Sequence, residues 1–212
     1  YYATLYGSSI DGVPSAMSTS NGIPTNAIFG FVMMLNKVID LIQPDALLVA
    51  WDADSQTFRK EEYPAYKGTR KPLDEELIVQ FPIVREFLDA AGIRRYEVHG
   101  YEADDIIGTM SKLSSEEIQT TILTSDRDLL QLVDENCRVL LMKKGITDME
   151  LMDVAIFQTK YYGLQPLQII DLKGLMGDSS DNIPGVKGVG EKTAMKLLST
   201  YPSVEEVYEH ID

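Results

Sequence analysis

The sequence predicts an α/β protein with a parallel central sheet flanked by helices and a helical lobe at its C-terminal end. Three observations carry that expectation. Ala46-Leu-Leu-Val-Ala-Trp51 is a continuous apolar run, as expected of a strand buried on both faces. Strand-like segments at 96–98, 120–124 and 138–142 alternate with stretches of helical period. Beyond about residue 164 the strand signals stop, which divides the chain into an α/β core over 1–164 and a helical lobe over 165–212.

In order, residues 4–24 are rich in Ser, Gly and Pro and read as a mobile loop. Thr25 is placed to cap a helix reaching residue 42, with Ile28, Phe31, Leu35, Val38 and Ile39 on one face. The 46–51 strand and a basic, aromatic segment over 58–72 follow, then a helix over 74–91 closed by Gly92. Helices are expected over 102–113 and 127–132, and two more over 167–176 and 191–198. The last two are joined by a turn rich in Gly and Pro, which leaves backbone N–H groups free at a helix N-terminus and so offers a phosphate site.

Composition narrows the function. The 212 residues hold 44% hydrophobic side chains, and no apolar run reaches the ~18 residues of a membrane span. One cysteine, Cys137, excludes an internal disulfide and reads as core filler in a reducing cytoplasm. The net charge of −14 is unevenly spread, because Arg59, Lys60, Lys67, Arg70 and Lys71 gather in one segment. The acids gather too. Asp52 ends the 46–51 strand, Glu102, Asp104 and Asp105 follow the 96–98 strand, and Asp126 and Asp128 follow the 120–124 strand. Those are the carboxyl ends of strands, where open α/β sheets bind ligands.

With Asp178 and Asp181, eight carboxylates converge on one edge. Their repulsion, ~4 kcal/mol per close pair at an effective dielectric near 20, calls for divalent cations. Oxygen donors without His or Cys select Mg²⁺ or Mn²⁺, and their number suits two ions. Any one cluster also has a plainer reading, since Ser125-x-x-Asp128 fits a helix capping box. That reading does not account for all the clusters at equivalent places.

Three motifs are specific. Tyr-Glu-Ala-Asp-Asp at 101–105, Thr-Ser-Asp-Arg-Asp-Leu-Leu-Gln-Leu at 124–132 and Gly-Asp-Ser-Ser-Asp-Asn-Ile-Pro-Gly-Val-Lys-Gly-Val-Gly-Glu-Lys-Thr-Ala at 177–194 resemble the bacterial 5′-nuclease family. That family comprises the exonuclease domain of DNA polymerase I and free-standing flap endonucleases. The resemblance implies a PIN-like fold with a helix-three-turn-helix, and hydrolysis of DNA 5′-flaps and 5′-ends with two Mg²⁺ ions.

By motif, it implies Asp52, Glu102, Asp104, Asp105 and Asp126 for the first metal, and Asp128, Asp178 and Asp181, sharing Asp126, for the second. It implies an arch base containing Tyr66, Lys67 and Arg70, the cations facing phosphate and the tyrosine stacking on a terminal base. Duplex DNA is expected on Gly185, Lys187, Gly188, Gly190, Lys192, Thr193 and Lys196, with a monovalent cation at the hairpin, and on Arg59. The family opens with a strand ending in a further Asp, which would precede Tyr1, so the sequence is expected to be a fragment. A monomer, with a polymerase domain in the same chain, is the expected setting. The competing readings are a DNA-binding module without catalysis, a free-standing flap endonuclease and a small-molecule phosphatase.

Overall fold

The computed structural model describes residues 9–10, 13–14, 17–53, 56–113, 117–144 and 148–211. They fall into two compact units. The first holds 1–51, 71–97 and 142–149, and the second 52–70, 98–141 and 150–212. Of the 4–24 segment, residues 4–8, 11–12 and 15–16 lie outside the described residues, while strands β1 (Ser9–Ile10) and β2 (Val13–Pro14) pair antiparallel.

In the first unit, helix α1 (Asn26–Ile42) buries Ala27, Leu35 and Val38, the face its apolar spacing predicts. Thr25 precedes it but its side chain caps nothing. Gln80, fully buried, does so instead: its Oε1 accepts from the amides of Ala27 (2.9 Å) and Ile28 (3.2 Å). The helix expected over 74–91 is two helices after the basic-segment helix α2 (Phe58–Glu62), namely α3 (Glu75–Ile78) and α4 (Phe81–Ala90). Pro82 explains the break, because a prolyl ring has no N–H for the preceding turn and clashes with it. Leu35, Val84 and Leu88 form the core, packed against Phe31, Ile39, Val49 and Trp51.

Strand β3 (Leu48–Ala50) lies parallel to β4 (Arg94–Tyr96). The second strand therefore begins two residues before the apolar pattern suggests. Arg94 and Arg95 hid it, and Arg95 is neutralised by Asp89 (3.0 Å) and Glu97 (3.0 Å).

Strand β5 (Thr120–Thr124), in the second unit, runs parallel to β6 (Cys137–Lys144), Ile122 opposite Val139, and β7 (Asp148–Met152) follows β6 in the same sheet, residues 142–149 of the two being counted with the first unit. Strand β7 is one that the sequence pattern does not place, although it falls before residue 164, where strand signals stop. Helix α5 (Ala103–Leu113), a 3₁₀ turn at Asp128–Leu132, and helices α6 (Val154–Lys160), α7 (Ile169–Met176), α8 (Glu191–Thr200) and α9 (Val204–Glu209) complete the second unit. Its core is one cluster that joins strand residues (Ile122, Val139, Leu141) to Phe157, Leu172, Leu175, Ala194 and Leu198 of the helices. Cys137 is buried within it, its thiol pushed up to about 11 first by burial and then by Asp134, which suits a packing residue.

Candidate active site

Every acid singled out in the sequence belongs to the second unit. Asp52 accepts the amide of Ala103 at 2.7 Å and so caps the start of α5. One turn into that helix, Asp105 accepts the amide of Glu102 at 2.9 Å and takes the Arg59 guanidinium through two bonds of 2.7 Å. Arg59 and that amide keep the Asp105 carboxyl below its usual range. Arg59 was expected on DNA, yet here it clamps a carboxylate. Glu102, 12% exposed, accepts from Tyr66 Oη at 3.0 Å and Lys67 Nζ at 2.7 Å.

Asp104 carries the clearest electrostatic signal. Its carboxyl is pushed up to about 6, first by burial and then by the charges of Asp126, Asp52 and Glu102, with Lys67 opposing. Asp104 thus feels three other carboxylates, with Lys67 as the opposing cation. Asp126 Oδ1 accepts the amide of Asp128 at 2.8 Å, and the amide of Asp126 donates to Thr124 Oγ1 at 2.9 Å. This tight turn replaces the capping box suggested by Ser125: Asp126 meets the first amide of the 3₁₀ turn, and the side chain of Arg127, the residue before it, caps nothing.

The second pair of acids meets a cation the sequence did not flag. Lys173 Nζ lies 2.6 Å from Asp128 Oδ1 and 2.7 Å from Asp178 Oδ2. The approach to Asp128 is a charge contact outside hydrogen-bonding geometry, which leaves that buried oxygen without a hydrogen bond. Burial tends to raise the Asp178 carboxyl, but Lys173 and the Ser180 hydroxyl (2.6 Å) outweigh it and hold the group well below its usual range. At Asp128 burial wins and the carboxyl is raised. The signal that would have exposed Lys173 is a lone cation inside an apolar helix, five residues before Asp178. Asp181 pairs with Arg70 at 2.5 Å.

The arch base departs from its expected form at Tyr66. That ring is 6% exposed and its hydroxyl is tied to Glu102, so it offers no face for stacking on a base; Tyr63, at 40%, is the outward aromatic. Lys67 adopts φ 53°, a left-handed conformation that a lysine rarely takes.

In the hairpin between α7 and α8, the three expected glycines separate into different tasks. Only Gly188 has positive φ, 85°. A Cβ on Gly185 would lie 2.2 Å from the Met176 carbonyl carbon, so this glycine permits close backbone packing rather than ligand approach. Gly190 precedes α8 in extended conformation, with open space where a Cβ would go and no side chain capping the helix. Lys187, Lys192, Thr193 and Lys196 are exposed around it.

Among the described residues, no three His, Cys, Asp or Glu side chains stand close enough to hold an ion. The donor set nevertheless fits hard cations. It is all oxygen, Asp104 is crowded by like charge, Asp128 Oδ1 lacks a hydrogen bond, Asp52 and Asp126 accept backbone amides, and Glu102, Asp105, Asp178 and Asp181 are balanced by ammonium and guanidinium groups.

Residues 1–162 match the 5′–3′ exonuclease N-terminal resolvase-like domain, and residues 164–212 match the 5′–3′ exonuclease C-terminal SAM fold. The chain belongs to the 5′–3′ exonuclease family. DNA polymerase I of Bacillus subtilis (strain 168) is 49% identical to this exonuclease chain over 197 residues, which are 92% of the chain and 22% of the relative. DNA polymerase I of Geobacillus stearothermophilus is 51% identical over 197 residues, again 92% and 22%. The exonuclease chain thus spans about a fifth of the length of these relatives. The T5 5′-exonuclease structure with bound divalent metal ions (zinc) superposes with a TM-score of 0.71 at 22% identity, covering 86% of this chain and 70% of that one. A bacteriophage T5 flap endonuclease complex with DNA and metal ions gives 0.69 at 20% identity, covering 89% and 71%. The fold is therefore that of the T5 exonuclease, α/β with a helical C-terminal part.

Proposed function

We propose that this 5′–3′ exonuclease chain hydrolyses phosphodiesters at the 5′-ends and 5′-flaps of DNA with two divalent cations, Mg²⁺ or Mn²⁺. The observation that carries the reading is the balance of charge in the second unit. Carboxylates of four segments stand there against Arg59, Lys67, Arg70 and Lys173, and burial with its acidic neighbours still pushes Asp104 up to about 6. Asp52, Glu102, Asp104 and Asp126 would hold the first ion, with Asp105 behind them as the residue that Arg59 fixes. Asp128, Asp178 and Asp181, with Asp126, would hold the second. When bound, such ions lower the pKa of a water and steady the leaving oxygen. Lys67 and Arg70 would meet the charge that grows on the phosphate. Gly188, Gly190 and the first turn of α8 would grip the duplex backbone without regard to sequence, with a monovalent cation at the turn.

The relatives support a wider setting, in which the chain is the nuclease part of a DNA polymerase I; we further propose that it acts as a monomer in the cytoplasm. No helix among the described residues is long and apolar enough to cross a membrane. A labelled 5′-flap duplex tests the reading. The full-length protein should cut it with Mg²⁺ or Mn²⁺ and leave it intact in EDTA; undiminished cutting in chelator would refute the two-ion mechanism.

A further inference from the structure

The arch base, 63–70, is fastened to the Asp178–Ile183 turn by bonds of two kinds. One kind is ionic: Arg70 reaches Asp181 Oδ1 at 2.5 Å, while beside it Lys67 reaches Glu102 Oε1, outside the turn, at 2.7 Å. A cation entering the site would compete for those carboxylates. The other kind uses no carboxylate. Asn182 Nδ2 donates to the carbonyl of Ala65 at 2.8 Å, the amide of Lys67 donates to the carbonyl of Asp181 at 2.9 Å, and Tyr63 Oη donates to the carbonyl of Asn182 at 3.2 Å. Because the Ala65 carbonyl only accepts, the orientation of the Asn182 amide is determined. Arg70 Nε adds a weaker bond to the Ser180 carbonyl at 3.3 Å.

Both segments adopt left-handed backbone at this junction. Asn182 has φ 59° and Lys67 has φ 53°. Asparagine tolerates the left-handed region better than most residues, whereas lysine adopts it only under strain. Strain of this sort persists where neighbouring bonds over-determine the backbone. The bond from Lys67 N to Asp181 O lies directly at the strained residue, and the Asn182 amide holds the turn before it.

We propose that Asn182 is a positioning residue: it latches the arch base to the turn carrying Asp178 and Asp181. The latch keeps Lys67 and Arg70 at the site once a cation takes their carboxylate partners. This rests on the nuclease reading above for its consequence, though the latch itself can be measured without any activity.

Asn182→Gly retains the left-handed backbone and deletes the amide. Asn182→Asp retains the shape and replaces the donor with an oxygen that cannot bond the Ala65 carbonyl. Trypsin reads the latch directly, since Lys67 and Arg70 are cleavage sites and Lys192, away from the latch, is an internal reference. In both variants, cleavage after Lys67 and Arg70 should quicken at least about fivefold relative to Lys192. The single-turnover rate on a 5′-flap at saturating Mg²⁺ should fall about tenfold or more, with duplex affinity changed less than about twofold, as misplaced catalytic groups require.

Unchanged trypsin cleavage in both variants would overturn the latch. Faster trypsin cleavage with an unchanged flap-cutting rate would overturn the positioning role. If Asn182→Gly lowers the unfolding midpoint sharply, Asn182→Asp decides between these outcomes. A parent protein that cuts no flap would refute the nuclease reading, and the trypsin comparison would still decide the latch.

Discussion

Lys173 shows how much one side chain decides in this site. Its ammonium serves Asp128 and Asp178 together, and those acids raise its pKa although burial opposes them. Lys173→Met would leave two partly buried carboxylates facing each other. Removal of one partner from a buried pair costs ~3–5 kcal/mol, and the one-third exposure of Lys173 reduces this to roughly 1–2 kcal/mol. Melting in EDTA at pH 7 should show that loss, and Mg²⁺ should recover more stability in the variant than in the parent. Equal recovery in both would mean that Lys173 does not stand where a cation binds. Gly190 offers a second residue-scale test. Gly190→Val meets open space and needs no left-handed φ, so stability should stay within about 0.5 kcal/mol. Its duplex affinity at ~0.1 M salt should nevertheless fall several-fold if the backbone there meets phosphate. Gly188→Val confounds the two effects, because φ at 188 is 85°.

At the scale of elements, turns hold the strands of the second unit in register. Asp134 precedes β6 and accepts the amides of Asn136 (2.9 Å) and Cys137 (2.8 Å), while Lys112 pairs with its other oxygen at 2.7 Å. Burial tends to raise the Asp134 carboxyl, but Lys112 and the two amides prevail and lower it. A carboxyl lowered in the folded state stabilises above its unfolded pKa and loses that contribution as pH falls through the folded value. Asp134→Ala should therefore cost about 1 kcal/mol at pH 7, mostly in capping bonds because the pair with Lys112 is exposed. The difference from the parent should shrink as pH falls below about 4, the ordinary carboxylate range. Chemical denaturation at pH 7 and pH 3 measures it, and a difference that grows on acidification would reverse the assignment.

For the molecule as a whole, the division into two units sets where cation binding should be felt. The acids and the cations that balance them belong to the second unit, while the first unit owes its core to Leu35, Val84 and Leu88. An ion that binds only the folded state stabilises by RT ln(1 + [L]/Kd), about 1.4 kcal/mol at ten times Kd. Hydrogen exchange with and without Mg²⁺ should show added protection over 102–113, 126–132 and 173–183. Little change is expected over 26–42 and 81–90. Protection confined to the latter segments would contradict the assignment of the acids.

The sequence alone determined the elements whose signal is local. The apolar periods of α1, α7 and α8, the run behind β3 and the motifs at 101–105, 124–132 and 177–194 were legible because each depends on neighbours within a few residues. It also named the acids, since carboxylates beyond strand ends have few other uses in such number. Pairing across long separations was decided only by the tertiary structure. Gln80 caps α1 from 53 residues away, Arg59 grips Asp105 from 46, and Asn182 reaches Ala65 from 117. An amide or guanidinium carries no pattern that announces its partner, and charge-rich β4 lacks the apolar alternation that marks a strand. The same holds for Tyr66, whose type suggested a stacking surface. Burial and the carboxylate of Glu102 turned it into a support for the site, because only the folded chain decides which ring faces are covered.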